Sequence, residues 1–133
     1  MINSGAFAYV DLLTASADYS WKRNEVISSN IANVDTPGYK RQDVSFESVL
    51  SAAVAKAGST STNLTTVVKN INYSNLKPTV YTDNANYSYR LDGNNVDIDT
   101  EEVELASNQL YYSGVTDAIS QQFSRIKTAL TTS

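Results

Sequence analysis

The sequence predicts a mainly α-helical protein, in which long N- and C-terminal helices form an antiparallel, coiled-coil-like pair. Two observations support this fold class: apolar residues recur at helical spacing near both ends of the 133-residue chain, and the segment between them differs in composition. A small, irregular excursion of strands and loops is expected there. The parts are residues 1–36 as the N-terminal helix, 37–50 as a turn and extended segment, 51–91 as a flexible linker with the β excursion, and 92–133 as an acidic loop and the C-terminal helix.

The N-terminal helix is indicated by a helical period over residues 5–34. Its stripe, here called the N-terminal seam, is apolar at all but two positions and consists of Ala6, Val10, Leu13, Ala17, Ser20, Asn24, Ile27, Ile31 and Val34. A stripe this narrow is typical of a coiled coil rather than of a broad globular face. Two interpretations of Asn24 stay open. It is a buried amide that fixes register at a cost in stability, or it lies at the edge of the stripe and contacts water.

Residues 30–39 predict where this helix stops. Asn33 suits the left-handed conformation that ends many helices, and Thr36 is disfavoured in helical geometry because a proline follows it. Pro37 and Gly38 fit the central positions of a type II turn, where proline fixes φ and glycine accepts a positive φ. The chain is therefore expected to leave the helix and turn sharply.

A second helical period occupies the C-terminal third. Asp99 is expected to cap this helix, with Glu102 completing a capping box. The C-terminal seam is polar at two positions, of which Asn108 is expected to be buried, and it consists of Leu105, Asn108, Tyr112, Val115, Ile119, Gln122, Ile126 and Ala129. An antiparallel pairing places Lys40 and Arg41 beside the acidic start of this helix. The helix dipole alone explains the acidic residues, and a salt-bridged junction is the alternative.

The middle of the chain is predicted to be irregular. Residues 51–63 are rich in Ala, Ser, Thr and Gly and are expected to form a flexible linker. Three β-prone pieces follow, at Leu64–Val68, Thr79–Tyr81 and Tyr87–Leu91. These pieces predict the small β excursion.

The composition excludes several classes of function. Cysteine and histidine are absent, which removes catalytic triads, Cys–His dyads and nearly every zinc site. The net charge of −4 argues against a nucleic-acid binder, and an EF-hand loop from Asp97 fails because Glu102 stands where glycine is required. No phosphate loop, nucleophile motif, signal peptide or apolar run of membrane-spanning length is recognised. We therefore expect no catalysis, no cofactor and no metal site.

Two segments resemble known flagellar signatures. The run Asn-Ile-Ala-Asn-x-Asp-Thr-Pro-Gly-Tyr at residues 30–39 resembles the N-terminal signature of bacterial flagellar axial proteins, which are the rod, hook and hook-junction subunits. The block at residues 92–97, followed by Glu102, Asn108 and Tyr112, resembles the C-terminal signature of proximal rod proteins, the FlgB family. The resemblance implies that the matching residues fix turns and pack helices: Asn30, Ile31, Ala32, Asn33, Pro37, Gly38, Tyr39, Asp92, Gly93, Asn94, Val96, Asp97, Glu102, Asn108 and Tyr112.

This resemblance implies a non-enzymatic structural subunit of the rod, the drive shaft that crosses the periplasm. The implied partners are other copies of the chain, the adaptor between rod and MS ring, other proximal and distal rod proteins, and the flagellar type III apparatus, which exports such subunits without a cleaved signal peptide. Terminal helices that pair only on assembly would bury the seams between subunits. One departure concerns export, because Phe7 is followed four residues later by Asp11 and not by an apolar residue.

Two alternatives stay open. Another short flagellar axial subunit would share the same physics, although the block at residues 92–96 weighs against it. From a different class, a secreted adhesin or carbohydrate-binding module would be a folded, β-rich monomer. The nine tyrosines suit glycan stacking, and they suit protein interfaces equally well.

Overall fold

The computed structural model describes residues 4–58, 63–84 and 90–131. Its elements, in chain order, are α1 (Ser4–Ala32), β1 (Gln42–Ser45), α2 (Glu47–Gly58), α3 (Leu64–Asn70), a 3₁₀ turn (Tyr73–Asn75), β2 (Thr79–Thr82) and α4 (Ile98–Thr131). Helices α1 and α4 are the longest elements, with 29 and 34 residues, and they pack together. The predicted mainly α-helical fold with paired terminal helices is confirmed.

Helices α1 and α4 run antiparallel. The end of α1 meets the start of α4, where Asn30 Nδ2 lies 2.9 Å from Glu101 Oε2. Two turns further along α4, Ser20 Oγ lies 3.0 Å from Asn108 Oδ1. Five residues of the two seams are buried, which are Val10, Ser20, Ile27, Asn108 and Val115. Nine more seam residues are half-buried, which are Leu13, Ala17, Asn24, Ile31, Val34, Leu105, Ile119, Gln122 and Ile126.

Helix α1 ends differently from the prediction. It stops at Ala32, and the expectation of a left-handed Asn33 is wrong, because among the described residues a positive φ occurs only at Gly38 and Gly93. The Nδ2 and backbone N of Asn33 both donate to the carbonyl oxygen of Ser29, at 2.8 and 3.1 Å. The side-chain amide thus satisfies a carbonyl of the last turn, a task that a left-handed cap would otherwise perform.

The turn after α1 has the predicted form. Gly38 has a φ of 73°, which is the positive value required at the third position of a type II turn. The N–H of Tyr39 donates to the carbonyl oxygen of Thr36 at 3.2 Å, closing the turn around Pro37 and Gly38.

Helix α4 begins at Ile98, so the predicted cap was misplaced. Asp97 is the capping residue: its carboxylate accepts from Asp99 N at 3.2 Å and from Thr100 Oγ1 at 3.0 Å. Asp99 lies inside the first turn, and Glu102 is exposed. Asp97 and Asp99 are both suitable capping residues, and the path of the preceding loop selects Asp97.

The middle segment is more ordered than predicted. Residues 51–58 belong to helix α2, not to a flexible linker, and residues 64–68 form helix α3, not a strand. Alanine favours helices, and Asn63 caps α3 by accepting from Thr65 N at 2.9 Å. Burial of Val67 in a cluster with Ala15 of α1 and Ala57 of α2 outweighs the β propensity of the Thr- and Val-rich piece.

A two-stranded antiparallel sheet is the β part of the described residues. Strand β2 includes the β-prone piece Thr79–Tyr81, as predicted, and pairs with β1 in a register that sets Val44 opposite Val80. Of the third β-prone piece, residues 87–89 lie outside the described residues and residues 90–91 are in a turn.

The core lies on a second face of α1. Ala15 packs with residues of α2, α3 and the connecting segments, in a cluster that includes Phe46, Ala57, Val67, Ile71 and Leu76. The rings of Tyr19 and Phe46 stack with centroids 4.9 Å apart. Helix α1 is therefore covered by the middle segment as well as by α4, whereas α4 packs mainly against α1.

Candidate assembly site at the helix junction

Four pieces of chain meet where α1 ends and α4 begins: the turn at residues 36–39, strand β1, the loop at residues 90–97 and the first turn of α4. This region is called the helix junction below. Its two glycine turns touch, because Gly38 N donates to the carbonyl oxygen of Asp92 at 2.8 Å. A Cβ atom on Gly93, whose φ is 76°, would lie 3.9 Å from Gly38 Cα. The Pro-Gly and Asp-Gly motifs of the sequence are therefore adjacent in space.

Asn94 ties the loop to the end of α1. Its side chain is almost fully buried, and Nδ2 lies 2.9, 3.0 and 2.9 Å from the carbonyl oxygens of Asn33, Val34 and Thr36. Its Oδ1 accepts from Val96 N at 2.8 Å. The carbonyls at the end of a helix lack partners within the helix, and this one amide supplies a donor to that end of α1.

Asn30 joins α1 to β1 and α4. It is fully buried, and its Nδ2 donates to the carbonyl oxygen of Gln42 at 2.7 Å and to Glu101 Oε2 at 2.9 Å. Its Oδ1 accepts from Gln42 N at 2.9 Å and from Tyr39 Oη at 3.2 Å. A buried amide with four hydrogen bonds fixes the relative position of the three elements.

A chain of alternating charges crosses the junction. Arg41 Nε donates to Glu101, which is fully buried, and Arg41 Nη2 lies 3.1 Å from Asp43 Oδ2. Arg23 continues the chain, with Nε 3.2 Å from Asp43 Oδ1 and Nη2 2.7 Å from Glu104 Oε2. Lys40 instead donates to the carbonyl oxygen of Gly93. The salt-bridged junction is therefore present at Arg41, and Lys40 binds a backbone carbonyl.

The pKa of Asp43 is lowered in this network. Burial disfavours its carboxylate, but the hydrogen bond from Val44 N–H and the charges of Arg23 and Arg41 outweigh that effect. Burial likewise disfavours the charged form of Arg41, yet the hydrogen bond and the charge of Glu101 raise the pKa of the guanidinium. The network therefore favours the ionised forms of Asp43 and Arg41.

The chain is similar in sequence to known proteins, and the similarity includes the helix junction. The family model described as "Flagella basal body rod protein" matches residues 22–40, which contain the end of α1 and the turn. The chain is 35% identical over 128 residues to flagellar basal body rod protein FlgB of Bacillus subtilis, covering 96% of this chain and 95% of that protein. The chain belongs to the FlgB family. Identity to FlgB of Borreliella burgdorferi is 36%, covering 92% and 90% of the two chains, and identity to FlgB of Escherichia coli is 37%, covering 76% and 77%.

The resemblance of the two sequence signatures to the FlgB family is thereby confirmed, and with it a structural rod role and a place in the flagellar basal body. The structure brings most of the signature residues together at the junction. Val96 is buried, Ile31 is half-buried and Ala32 is exposed. Asn108 and Tyr112 lie outside it, further along α4. Asn108 is buried as expected, and its Nδ2 donates to Ser20 O at 2.9 Å.

Sequence reasoning missed several residues of this FlgB-family junction, namely Arg23, Asp43, Asn95, Glu101 and Glu104. A usable signal existed for two of them, because Arg23 precedes Asn30 by seven residues and Glu101 precedes Asn108 by seven. Seven residues are two helical turns, so each pair lies on one face of its helix. No comparable signal marked Asp43, because its partner Arg23 lies twenty residues earlier, in another element, although its second partner, Arg41, is only two residues away.

The helix junction holds separate segments of the chain together through hydrogen bonds and ion pairs. Glu101, Asp43 and Glu104 each contact an arginine. Within the described residues, no group of three potential metal ligands is found. Among those same residues, no helix combines the length and apolarity that a bilayer crossing requires.

Proposed function

We propose that the chain is a subunit of the proximal rod that assembles helically with copies of itself and with other axial proteins, and that it transmits torque. One observation carries this proposal: apolar side chains of α4 stay uncovered in the isolated chain. Val103, Leu110, Phe123 and Leu130 are 70%, 76%, 54% and 55% exposed. Helix α4 packs mainly against α1, so neighbouring subunits are the natural cover for these side chains.

Torque transmission is supported by the helix junction. A rod under torsion loads the connection between its helices, and here that connection is made of buried hydrogen bonds and ion pairs rather than of an open loop. Asn30 and Glu101 join α1, β1 and α4 directly, and Asn94 joins the loop before α4 to the residues that follow α1. Removing any of them would leave buried polar groups unpaired, which is costly.

The partners proposed are the adaptor between rod and MS ring, other proximal and distal rod proteins, and the type III export apparatus during secretion. The proposed location within the basal body is the periplasmic rod, reached without cleavage of a signal peptide, and no catalysis is proposed. Helical assembly requires heterologous contacts, in which one patch meets a different patch on the next subunit.

The other candidate functions gain less support. An adhesin was expected to be β-rich, whereas the described residues hold two strands of four residues beside two helices of about thirty. Another short axial subunit would share the fold, but the curated relatives named here are FlgB proteins.

The test is deletion of this chain from its source organism, with return of the wild-type chain as the matched control. We expect the deletion strain to be non-motile and hookless, and mass spectrometry to find the chain in hook–basal bodies purified from the complemented strain. Normal swimming of the deletion strain, with the chain absent from the particles, would refute the proposal.

A further inference from the structure

A small cavity opens on the surface of the α1–α4 pair, roughly two turns along α1 from the helix junction. Its volume is about 100 Å³ and it is lined by Ser20, Trp21, Asn24, Asn108, Gln109 and Tyr112. The rings of Trp21 and Tyr112 stand side by side, with centroids 6.3 Å apart. Trp21 is 65% exposed, so the side of the cavity that these two rings form faces solvent. Because a water molecule occupies about 30 Å³ of liquid, this volume admits the head of one side chain.

One polar atom at this cavity lacks a partner. Asn24 Oδ1 is buried, and it has no hydrogen-bond partner among the described residues. Ser20 and Asn108, at the same cavity, satisfy each other: Ser20 Oγ donates to Asn108 Oδ1 at 3.0 Å, and Asn108 Nδ2 donates to Ser20 O at 2.9 Å. Buried acceptors without donors are rare in native proteins and destabilise them.

A seam amide can fix register by pairing with a polar group on the facing helix, but Asn24 Oδ1 has no such partner among the described residues. Asn24 occupies a position of the N-terminal seam, where an apolar side chain would pack against α4 without an unpaired acceptor. The amide is therefore better explained by a donor that comes from outside the chain.

We propose that this cavity receives the basic head of a side chain from a neighbouring rod subunit, an inference that rests on the proposed function. A guanidinium or ammonium group donates N–H to Asn24 Oδ1 and lies against the rings of Trp21 and Tyr112, which attract cations. The terminal torsion of an asparagine side chain has a broad energy minimum, so the Asn24 amide can rotate and turn its Oδ1 towards the incoming basic group.

The local charge selects a cation over a neutral donor. The helix segments that carry the cavity, residues 17–28 and 101–112, contain five acidic residues. Lys22, Arg23 and Arg41 pair with three of them, Glu25, Glu104 and Glu101, which leaves Asp18 and Glu102 as a negative excess. An incoming positive charge is attracted by this excess, whereas a neutral amide or hydroxyl gains neither that attraction nor the cation–π contact.

The test measures monomer stability and assembly separately. Asn24→Leu removes the unpaired acceptor, so we expect it to raise the thermal midpoint of the purified chain. In a strain that carries it as the only copy, the yield of hook–basal bodies should fall about tenfold, as expected for the loss of one charge-assisted hydrogen bond. Asn24→Asp keeps an acceptor and adds a negative charge, so it should retain the yield. Gln121→Leu, an exposed apolar replacement elsewhere on α4, is the matched control and should change neither quantity.

The basic residue that enters the cavity can be identified by crosslinking in the same strain. A photo-crosslinking p-benzoylphenylalanine in place of Gln109 should attach to a neighbouring subunit beside a lysine or arginine. Replacing that basic residue by leucine should lower the yield as much as Asn24→Leu, with no further loss when the two changes are combined.

Three results would overturn the inference. Asn24→Leu could raise stability with an unchanged yield, Asn24→Asp could lose yield as Asn24→Leu does, or the two leucine changes could add. If the wild-type chain itself fails to restore hook–basal bodies, the proposed function fails and this inference fails with it.

Discussion

The sharpest prediction concerns Glu101, the one fully buried carboxylate among the described residues. It accepts hydrogen bonds from Asn30 Nδ2, at 2.9 Å, and from Arg41 Nε. Glu101→Ala leaves both donors without their acceptor. Breaking a buried ion pair by removing one partner costs about 3–5 kcal/mol. The Arg41 side chain is 18% exposed and can reach water, so we expect a loss near the lower end, about 3 kcal/mol.

Urea unfolding followed by far-ultraviolet circular dichroism measures this loss. With a slope of about 1–3 kcal/mol per molar urea, the midpoint should fall by roughly 1–3 M. Glu102→Ala is the matched control, because it removes the neighbouring, exposed carboxylate and should change stability by no more than about 0.5 kcal/mol. Glu101→Gln should fall between the two, since the amide keeps an acceptor oxygen and loses the charge. If the two alanine variants unfold at the same urea concentration, the buried ion pair does not hold the junction together.

Three further changes test other parts of the molecule. Gly38→Ala places a Cβ at a φ of 73°. Because a side chain is strained in this left-handed conformation, calorimetry should show that the free energy of unfolding falls by about 1–2 kcal/mol. Lowering the pH should destabilise the chain, because the lowered pKa of Asp43 gives stability above its ordinary value of 3.8 that is lost as pH falls through the folded value. In the Asp43→Asn variant, the unfolding midpoint should depend less on pH than it does in the wild-type chain. Ile31→Asp places a negative charge at a half-buried position of the N-terminal seam. Motility plates should then show loss of swimming, while immunoblots show normal expression.

Each of these has its own control or contrary result. Gly114→Ala, in the open interior of α4, should stabilise the chain by about 0.5–1 kcal/mol, and a loss there equal to that of Gly38→Ala would show that positive φ is not the cause. An Asp43→Asn variant with the wild-type pH profile would remove this carboxylate from the acid response. Normal motility of the Ile31→Asp strain would count against further burial of the half-buried Ile31 on assembly.

Much of the fold follows from local rules. The seams are visible because a helix repeats its face every three to four residues, whatever its partner. The turn at Pro37 and Gly38 is visible because both residues have restricted or special φ values. Strand β2 is visible from its β-branched and aromatic residues, which fit a pleated surface.

The errors lie where more than one local structure was possible. Residues 64–68 favour strands by composition, yet they form a helix because Val67 is buried against the core. Asn33 is suited to a left-handed cap, yet its side chain performs the same task in another way. The acidic run at residues 97–104 offers several caps, and the loop that precedes Asp97 decides between them.

By itself, the sequence determined the two long helices, their seams, the sharp turn between residues 36 and 39, and the family. These depend on periodicity and on residue types that act within a few positions of one another. Only the tertiary structure decided that Asn94 serves the end of α1, that Glu101 is buried between Asn30 and Arg41, and that Asn24 keeps an unpaired oxygen. Those outcomes depend on partners that are mostly some sixty to seventy residues apart in the chain. Hydrogen bonds act over about 3 Å, so the arrangement exists only once the helices have paired.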